Sequence, residues 1–430
     1  MQTKKKNYSN FLKSLGPGLL WAGAAIGVSH LVQSTRAGAN YGFALVWAVI
    51  LANIFKYPFF EYGPRYAAAA GESLLHGYKR LGKWVLWLFL VLTFGTMFTV
   101  QAAVTIVTAA LVSWSTGGGI SPLHWSMIIL AICMLILAVG KYPLLDKTIK
   151  LVIVVLTITT LWALFAAIGS RGLKTSAPDL IPNIWDTTGI FFMIALMGWM
   201  PSAIDISVWS SLWTLERSKQ TGYKPKLKES LLDFNIGYIG TTLISLSFLT
   251  LGALVIFGSG KELAQSGSVF AGQFISLYTQ SIGDWSKYII TIAAITTMFS
   301  TTLTCLDAFP RVLRNAFALV LQKTDKETKK NNENTGMNRW MYWGWMFVVA
   351  GGSVILLSLL KSSMTFMVDL ATTLSFLTAP ILAFINYKVV TGKHMPAEAI
   401  PPKWLKILSW AGLVFLIGFC LLFLYFRFLN

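Results

Sequence analysis

The sequence predicts an all-α membrane protein, and three observations carry that prediction. Of its 430 residues 55% are apolar and only 12% are charged, about half the charged share of a water-soluble domain. Such a chain lacks the charge to cover a globular surface. A hydrocarbon core about 30 Å thick needs roughly 20 apolar residues per helix. Eleven stretches meet that requirement: 17–37, 43–68, 85–113, 122–140, 148–169, 187–214, 234–259, 285–309, 340–361, 365–390 and 404–427. Finally, the formal charge of +18 sorts along the chain as topology requires. With a cytoplasmic N-terminus, 26 of the 35 Lys and Arg fall in inside segments and only six outside. Arg36 lies near an outer helix end, and Lys56 and Arg65 lie inside the second span. Lys/Arg bias in short loops sets orientation, so the C-terminus, after an odd number of spans, is expected outside. The excess is a topology signal and not a nucleic-acid surface.

The first span follows Lys4, Lys5 and Lys6 and superficially imitates a signal peptide. Its apolar run is long enough to cross, and ten more spans follow, so it is read as a retained helix. Residues 1–16 form a cytoplasmic N-terminal segment and 17–430 a single transmembrane domain. That domain divides into 17–169, 187–390 and an extra helix at 404–427. The largest polar stretch, 322–339, is charged and aperiodic and is read as a flexible cytoplasmic connector. In the outer loop 259–284, Phe270, Phe274 and Leu277 recur at helical spacing, which predicts a short helix over the outer mouth or on the surface. Cys133, Cys305 and Cys420 are odd in number and scattered through apolar runs, which argues against disulfides and CxxC metal sites.

Two spans, five apart, are interrupted. In span 1, Gly16-Pro17-Gly18 opens the helix, and Gly23, Gly27, Ser29, His30, Gln33, Ser34, Thr35 and Arg36 fill its middle and end. In span 6, Met197-Gly198-Trp199-Met200-Pro201-Ser202 puts Gly and Pro mid-span, with Asp205 and Ser207 beyond. Pro201 removes an N–H and frees the Met197 carbonyl for a ligand. One such break alone is an ordinary proline kink. Corresponding breaks in two five-span halves are the pattern of secondary transporters, which bind substrate there at the midplane.

The run GPGLLWAGAAIGVSHLVQSTRAGANYGFALVWAVILAN, above all its AGANYGF segment, resembles the first two helices of the Nramp metal-transporter family. RYAAAAGESL at the end of helix 2 and the Met200-Pro201 step are similar to it too. The resemblance covers most of the chain in pattern, with motif identity confined to these segments. It implies a LeuT-type fold, two inverted five-helix repeats plus an eleventh helix, working by alternating access. The family carries Asp-Pro-Gly-Asn at the helix 1 break, where an ungapped reading here gives Gly27, Val28, Ser29 and His30. Its helix 6 Met-Pro-His becomes Met200-Pro201-Ser202, and the helix 6 carbonyl ligand becomes that of Met197. His30, the Met197 carbonyl and the Met200 sulfur bring no negative charge, whereas hard dications favour carboxylates. A soft ion such as Cu(I) would suit His plus Met, but two soft ligands at a break arise easily by chance.

Ionisable groups inside a bilayer are functional candidates by default. Glu61 and Arg65, one turn apart, are read as a structural ion pair. Asp205 either caps the second half-helix or supplies the missing charge. Thr301, Thr304 and Asp307 recur on one side of span 8; a sodium site or interhelical hydroxyl contacts both fit. Asp369 is read as a proton-coupling carboxylate or a partner for Arg36, and Arg36 is expected to snorkel to the outer interface. Trp199 beside the break is a candidate wall for an organic substrate, with packing the default. His30, His76, His124 and His394 are dispersed, and no HExxH, Walker or GxSxG pattern appears, so an intramembrane enzyme is not expected.

The sequence therefore predicts a secondary-active transporter whose substrate site lies between the two breaks, formed by Gly27, Ser29, His30, Gln33, Met197, Met200, Ser202 and Asp205. The expected substrate is a small organic or anionic solute coupled to Na⁺ or H⁺, with no resident cofactor. The alternative is a divalent-metal transporter in which Asp205 or Asp307 replaces the missing carboxylate. A lipid bilayer is the expected partner, and with no organelle-targeting segment visible the expected location is a bacterial inner membrane.

Overall fold

The computed structural model describes residues 16–140, 142–173, 178–321, 335–360 and 363–429. Most of the expected connector at 322–339, and the N-terminal segment before residue 16, lie outside the described residues. Span 1 is composite. A helix α1 (Pro17–Ala25) gives way to a π-helical stretch, Ser29–Ser34, and then to α2 (Thr35–Tyr41). Span 2 is α3 (Val46–Ala70), followed by the short α4 (Leu74–Leu81). Next come α5 (Lys83–Ser115), α6 (Pro122–Val139) and α7 (Tyr142–Arg171). Span 6 is again broken, into α8 (Thr187–Gly198) and α9 (Ile206–Thr221). The rest are α10 (Leu227–Val255), α11 (Gly267–Ile282), α12 (Ser286–Leu321), α13 (Thr335–Leu360), α14 (Met364–Thr391) and α15 (Lys403–Phe428).

Among the described residues, eight helices are long and apolar enough to cross a bilayer, and the chain is a multi-pass membrane protein. The three remaining expected crossings have physical reasons for standing apart. Spans 1 and 6 are each cut into pieces too short to cross alone, and α3 carries Lys56, Glu61 and Arg65. Burial separates inner from outer helices. The apolar stretch of α5 is 72% buried and those of α10 and α12 are 67% buried, against 22% for α6 and 28% for α15. The outer helices turn residues such as Leu135 and Val414 outward, as expected where hydrocarbon is the solvent. The helix expected in the outer loop is α11, and it is packed rather than superficial: Phe270, Phe274, Leu277 and Tyr278 are all buried.

The broken spans lie at the centre. Span 1 packs against α10 and α12, α8 against α14, and α9 against α3. Close approach explains the glycines at these crossings. A Cβ at Gly18 would stand 2.1 Å from the Asp233 carbonyl oxygen on α10, and one at Gly198 only 2.0 Å from the Thr372 carbonyl oxygen on α14. Gly16 at the N-cap of α1 has no side chain to cap the helix. Asp233 does so from α10, its carboxylate accepting from the Gly16 N–H at 3.2 Å and the Gly18 N–H at 2.6 Å. Asp233→Ala leaves both buried donors unpaired and is expected to cost about 1–3 kcal/mol. The check is a lowered apparent melting temperature of the purified protein, with Asp233→Asn intermediate.

Candidate functional site

At the first break, α1 ends at Ala25 and the chain passes through Ile26, Gly27 and Val28 before the π-helical turns begin. Ile26 leaves helical geometry at ψ 89, and its carbonyl accepts the Thr301 hydroxyl of α12 at 3.5 Å. Gly27 faces the same threonine, since a Cβ there would lie 2.9 Å from Thr301 Oγ1. Ser29 Oγ lies 3.1 Å from the Ala25 carbonyl, 2.7 Å from His30 Nδ1 and 3.4 Å from the Pro201 carbonyl. It therefore touches both interrupted spans. His30 Nε2 lies 3.1 Å from the Thr241 carbonyl. A carbonyl only accepts, so Nε2 carries the proton; in the neutral ring Nδ1 then accepts from Ser29. His30 is fully buried against α10 with both ring nitrogens engaged.

The second break is built around a residue to which the sequence reading assigned no role. Lys56 of α3 has no exposed surface. Its ammonium donates to the carbonyls of Met197 at 3.0 Å, Gly198 at 3.0 Å and Ser202 at 2.7 Å. Met197 and Gly198 close α8, where terminal carbonyls lack helical partners and the dipole favours a cation. The carbonyl that Pro201 was expected to free is thus taken by a side chain of the protein. Met200 is fully buried and is not among the residues that line the cavity between the breaks.

Between the breaks lies a cavity of about 40 Å³ whose lining includes Ser29, Trp199, Ser202, Asp205, Trp209, Thr301 and Cys305. One water needs about 10–15 Å³ on this scale, so the space admits only a few water-sized groups. Trp199 does form a wall, held by its indole N–H donating to Ser375 Oγ at 2.8 Å. Asp205 stands at the N-cap of α9 without a side-chain cap hydrogen bond. Among the described residues no cation lies within ion-pair distance of it. It lines this cavity and a smaller one of about 10 Å³ that also meets Thr93, Thr96 and Ser375.

The other expected positions are not gathered here. Gln33 donates to Asp369 at 2.8 Å and to Thr372 at 3.4 Å. Arg36 grips both Asp369 oxygens, at 2.6 and 3.0 Å, and also bonds Gln33 Oε1. Of the two roles weighed for Asp369, the structure makes it the partner of Arg36, 333 residues away, in a pair whose side chains are 13% and 36% exposed. Asp307 is held by Arg311 at 2.9 Å and by the Tyr342 hydroxyl. Of the span 8 candidates, Thr301 alone touches the break, while Thr304 is buried elsewhere on the same helix. Glu61 and Arg65 form the expected pair at 2.6 Å.

Two interrupted helices facing one another at the centre of a multi-pass bundle define a secondary transporter. Comparison with known proteins agrees. The family model for natural resistance-associated macrophage protein-like proteins, Nramp, matches residues 18–426. The chain belongs to the Nramp family. It is 35% identical to an uncharacterized protein of Pasteurella multocida across 98% of this chain and 94% of that one. A metal transporter of Populus trichocarpa is 28% identical over only 20% of this chain. Among solved structures, the Eremococcus coleocola manganese transporter bound to an aromatic bis-isothiourea compound superposes with a TM-score of 0.70 at 14% identity, covering 97% of this chain and 86% of that one. MhsT in complex with L-phenylalanine superposes with a TM-score of 0.60 at 14% identity, covering 96% and 98%. The fold is therefore LeuT-type, with two inverted five-helix repeats and an eleventh helix.

Proposed function

We propose that this transporter moves a small organic solute carrying a cationic, hydrogen-bond-donating group, driven by a Na⁺ or H⁺ gradient. The observation that carries this reading is Asp205. It is the carboxylate of a cavity otherwise lined by hydroxyls, a thiol, two indoles and the aliphatic side chains of alanines, valines and Ile206, and among the described residues it has no cation of the protein within ion-pair distance. A charged donor on a solute would complete it, and Trp199 and Trp209 offer the apolar and π surface such a solute needs. Of the two solute classes open from sequence, the anionic one loses support because Asp205 already stands where the α9 N-terminus would attract an anion.

A divalent transition metal is disfavoured on the same geometry. Hard dications need several oxygen ligands, carboxylates among them. Asp205 stands alone, Asp307 is engaged by Arg311, the His30 nitrogens are both in use, and the Met197 carbonyl already faces the Lys56 ammonium. The second reading, a rearranged metal site on Asp205, is favoured by the relatives that bear metal-transporter names. Uptake by the protein in proteoliposomes separates them. Saturable uptake of an organic amine found by thermal-shift screening, with no saturable Mn²⁺ uptake, is expected. Saturable Mn²⁺ transport abolished by His30→Ala would overturn the proposal. The charge bias of the loops supports a cytoplasmic N-terminus and an outside C-terminus.

A further inference from the structure

We propose that the α8–α9 break is a monovalent-cation site, built from the carbonyls of Met197, Gly198 and Ser202 and permanently filled by the protein's own Lys56 ammonium. An ammonium has three donors and no acceptor, and three carbonyls stand at 3.0, 3.0 and 2.7 Å from Nζ. Donors and acceptors match in number, so every N–H of the ammonium is paired, and the Asp205 carboxylate acts on its charge from beyond ion-pair distance. The face of Phe60 closes another side, its centroid 5.7 Å from Nζ, within cation–π range. The cage is therefore made of dipoles and a quadrupole, with no carboxylate within ion-pair distance.

That composition selects the charge of the occupant. Rings of backbone carbonyls hold weakly hydrated monovalent cations, whereas dications call for anionic oxygens. The cage also needs a cation. Met197 and Gly198 are the last residues of α8, and their carbonyls carry the negative end of its dipole. The interruption at Pro201 leaves the Gly198 carbonyl without the N–H partner a continuous helix would provide, while the Met197 carbonyl keeps one backbone partner, the Met200 N–H at 3.3 Å. A neutral side chain of equal length would fill the space and leave the Gly198 and Ser202 carbonyls without their donor. The cage adjoins the Asp205 cavity and shares Ser202 with it, but Lys56 itself does not line that cavity, so the occupant of the cage is inferred without reference to the solute.

The test uses the full-length purified protein and its apparent melting temperature in NaCl, KCl, n-propylammonium chloride and choline chloride at equal ionic strength. Wild type melted in each salt gives the baseline that Na⁺ or an amine contributes at the transport site, and every recovery below is the gain beyond that baseline, to which the occupied cage of the wild type adds nothing. Lys56→Ala is expected to melt lower in choline and to recover saturably with n-propylammonium or Na⁺, while choline, too bulky for the cage, gives no recovery. Lys56→Met, close in length but uncharged, is expected to stay destabilised, and Lys56→Arg, which keeps the charge, to fall between it and wild type. Should both neutral variants fail to fold while Lys56→Arg is purified, the requirement for charge stands. A Lys56→Met protein as stable as wild type, or a Lys56→Ala protein indifferent to every cation, overturns the proposal.

Discussion

Arg65→Met is expected to destabilise the protein by about 3–5 kcal/mol, the usual consequence of leaving one member of a buried ion pair alone. The side chains of Arg65 and Glu61 are only 8% and 3% exposed. They meet through two parallel hydrogen bonds, Nε to Oε2 at 2.7 Å and Nη2 to Oε1 at 2.6 Å. A third bond, from Nη1 to the Ala399 carbonyl at 3.0 Å, ties α3 to the segment that leads into α15. Methionine replaces the stem of the arginine and none of these donors. The Glu61 carboxylate and the Ala399 carbonyl are then buried without the donors that Arg65 supplied, which is costly for a charge above all. Folded domains are stable by only about 5–15 kcal/mol, so the variant should lose a large part of its yield and melt well below wild type. The double variant Glu61→Leu with Arg65→Met should be less destabilised than Arg65→Met alone, because it removes the stranded charge as well as its partner. Melting of the three purified proteins decides the matter. A double variant worse than the single would mean that the pair contributes net attraction beyond mutual neutralisation.

This pair also shows what the sequence makes legible. Glu61 and Arg65 are four residues apart on one helix, so local geometry alone brings them together. The same holds for the two interruptions, since glycine and proline act on the backbone where they stand. Legibility ends where the partner is remote in sequence or has no side-chain identity. Arg36 meets Asp369 across 333 residues, and the Asp233 cap reaches Gly18 across 215. Lys56 carried one readable signal, an ammonium in the middle of an apolar span. Its ligands could not be read, because backbone carbonyls exist at every position and only the fold selects those of Met197, Gly198 and Ser202. Asp307 shows the converse case. Its spacing from Thr301 and Thr304 put it on one face with them, but Arg311, one turn on, and Tyr342 from α13 claim its carboxylate.

Asp205→Asn should raise the KM for the transported amine by about 10-fold to 100-fold while leaving the fold intact. The expected size follows from a hydrogen bond to a charged group, about 1.5–3 kcal/mol, at 1.4 kcal/mol per tenfold change in affinity. Asparagine suits the test because it matches the carboxylate in shape and is an equally good N-cap residue, so α9 keeps its first turn. The substitution removes only charge, and among the described residues that charge has no cation within ion-pair distance, the Lys56 ammonium acting on it only from farther off. The melting temperature without solute should therefore change little, whereas the rise in melting temperature on adding the amine should largely vanish. Uptake in proteoliposomes gives the separation that matters. A higher KM with an unchanged maximal rate places Asp205 in binding. An unchanged KM with a reduced maximal rate would instead assign it to the opening and closing of the two breaks, and the cavity would lose its claim as the solute site. The contrast with Lys56 then becomes chemical: two opposite charges lie at one interrupted helix, one spent on the protein's own carbonyls and the other left to the substrate.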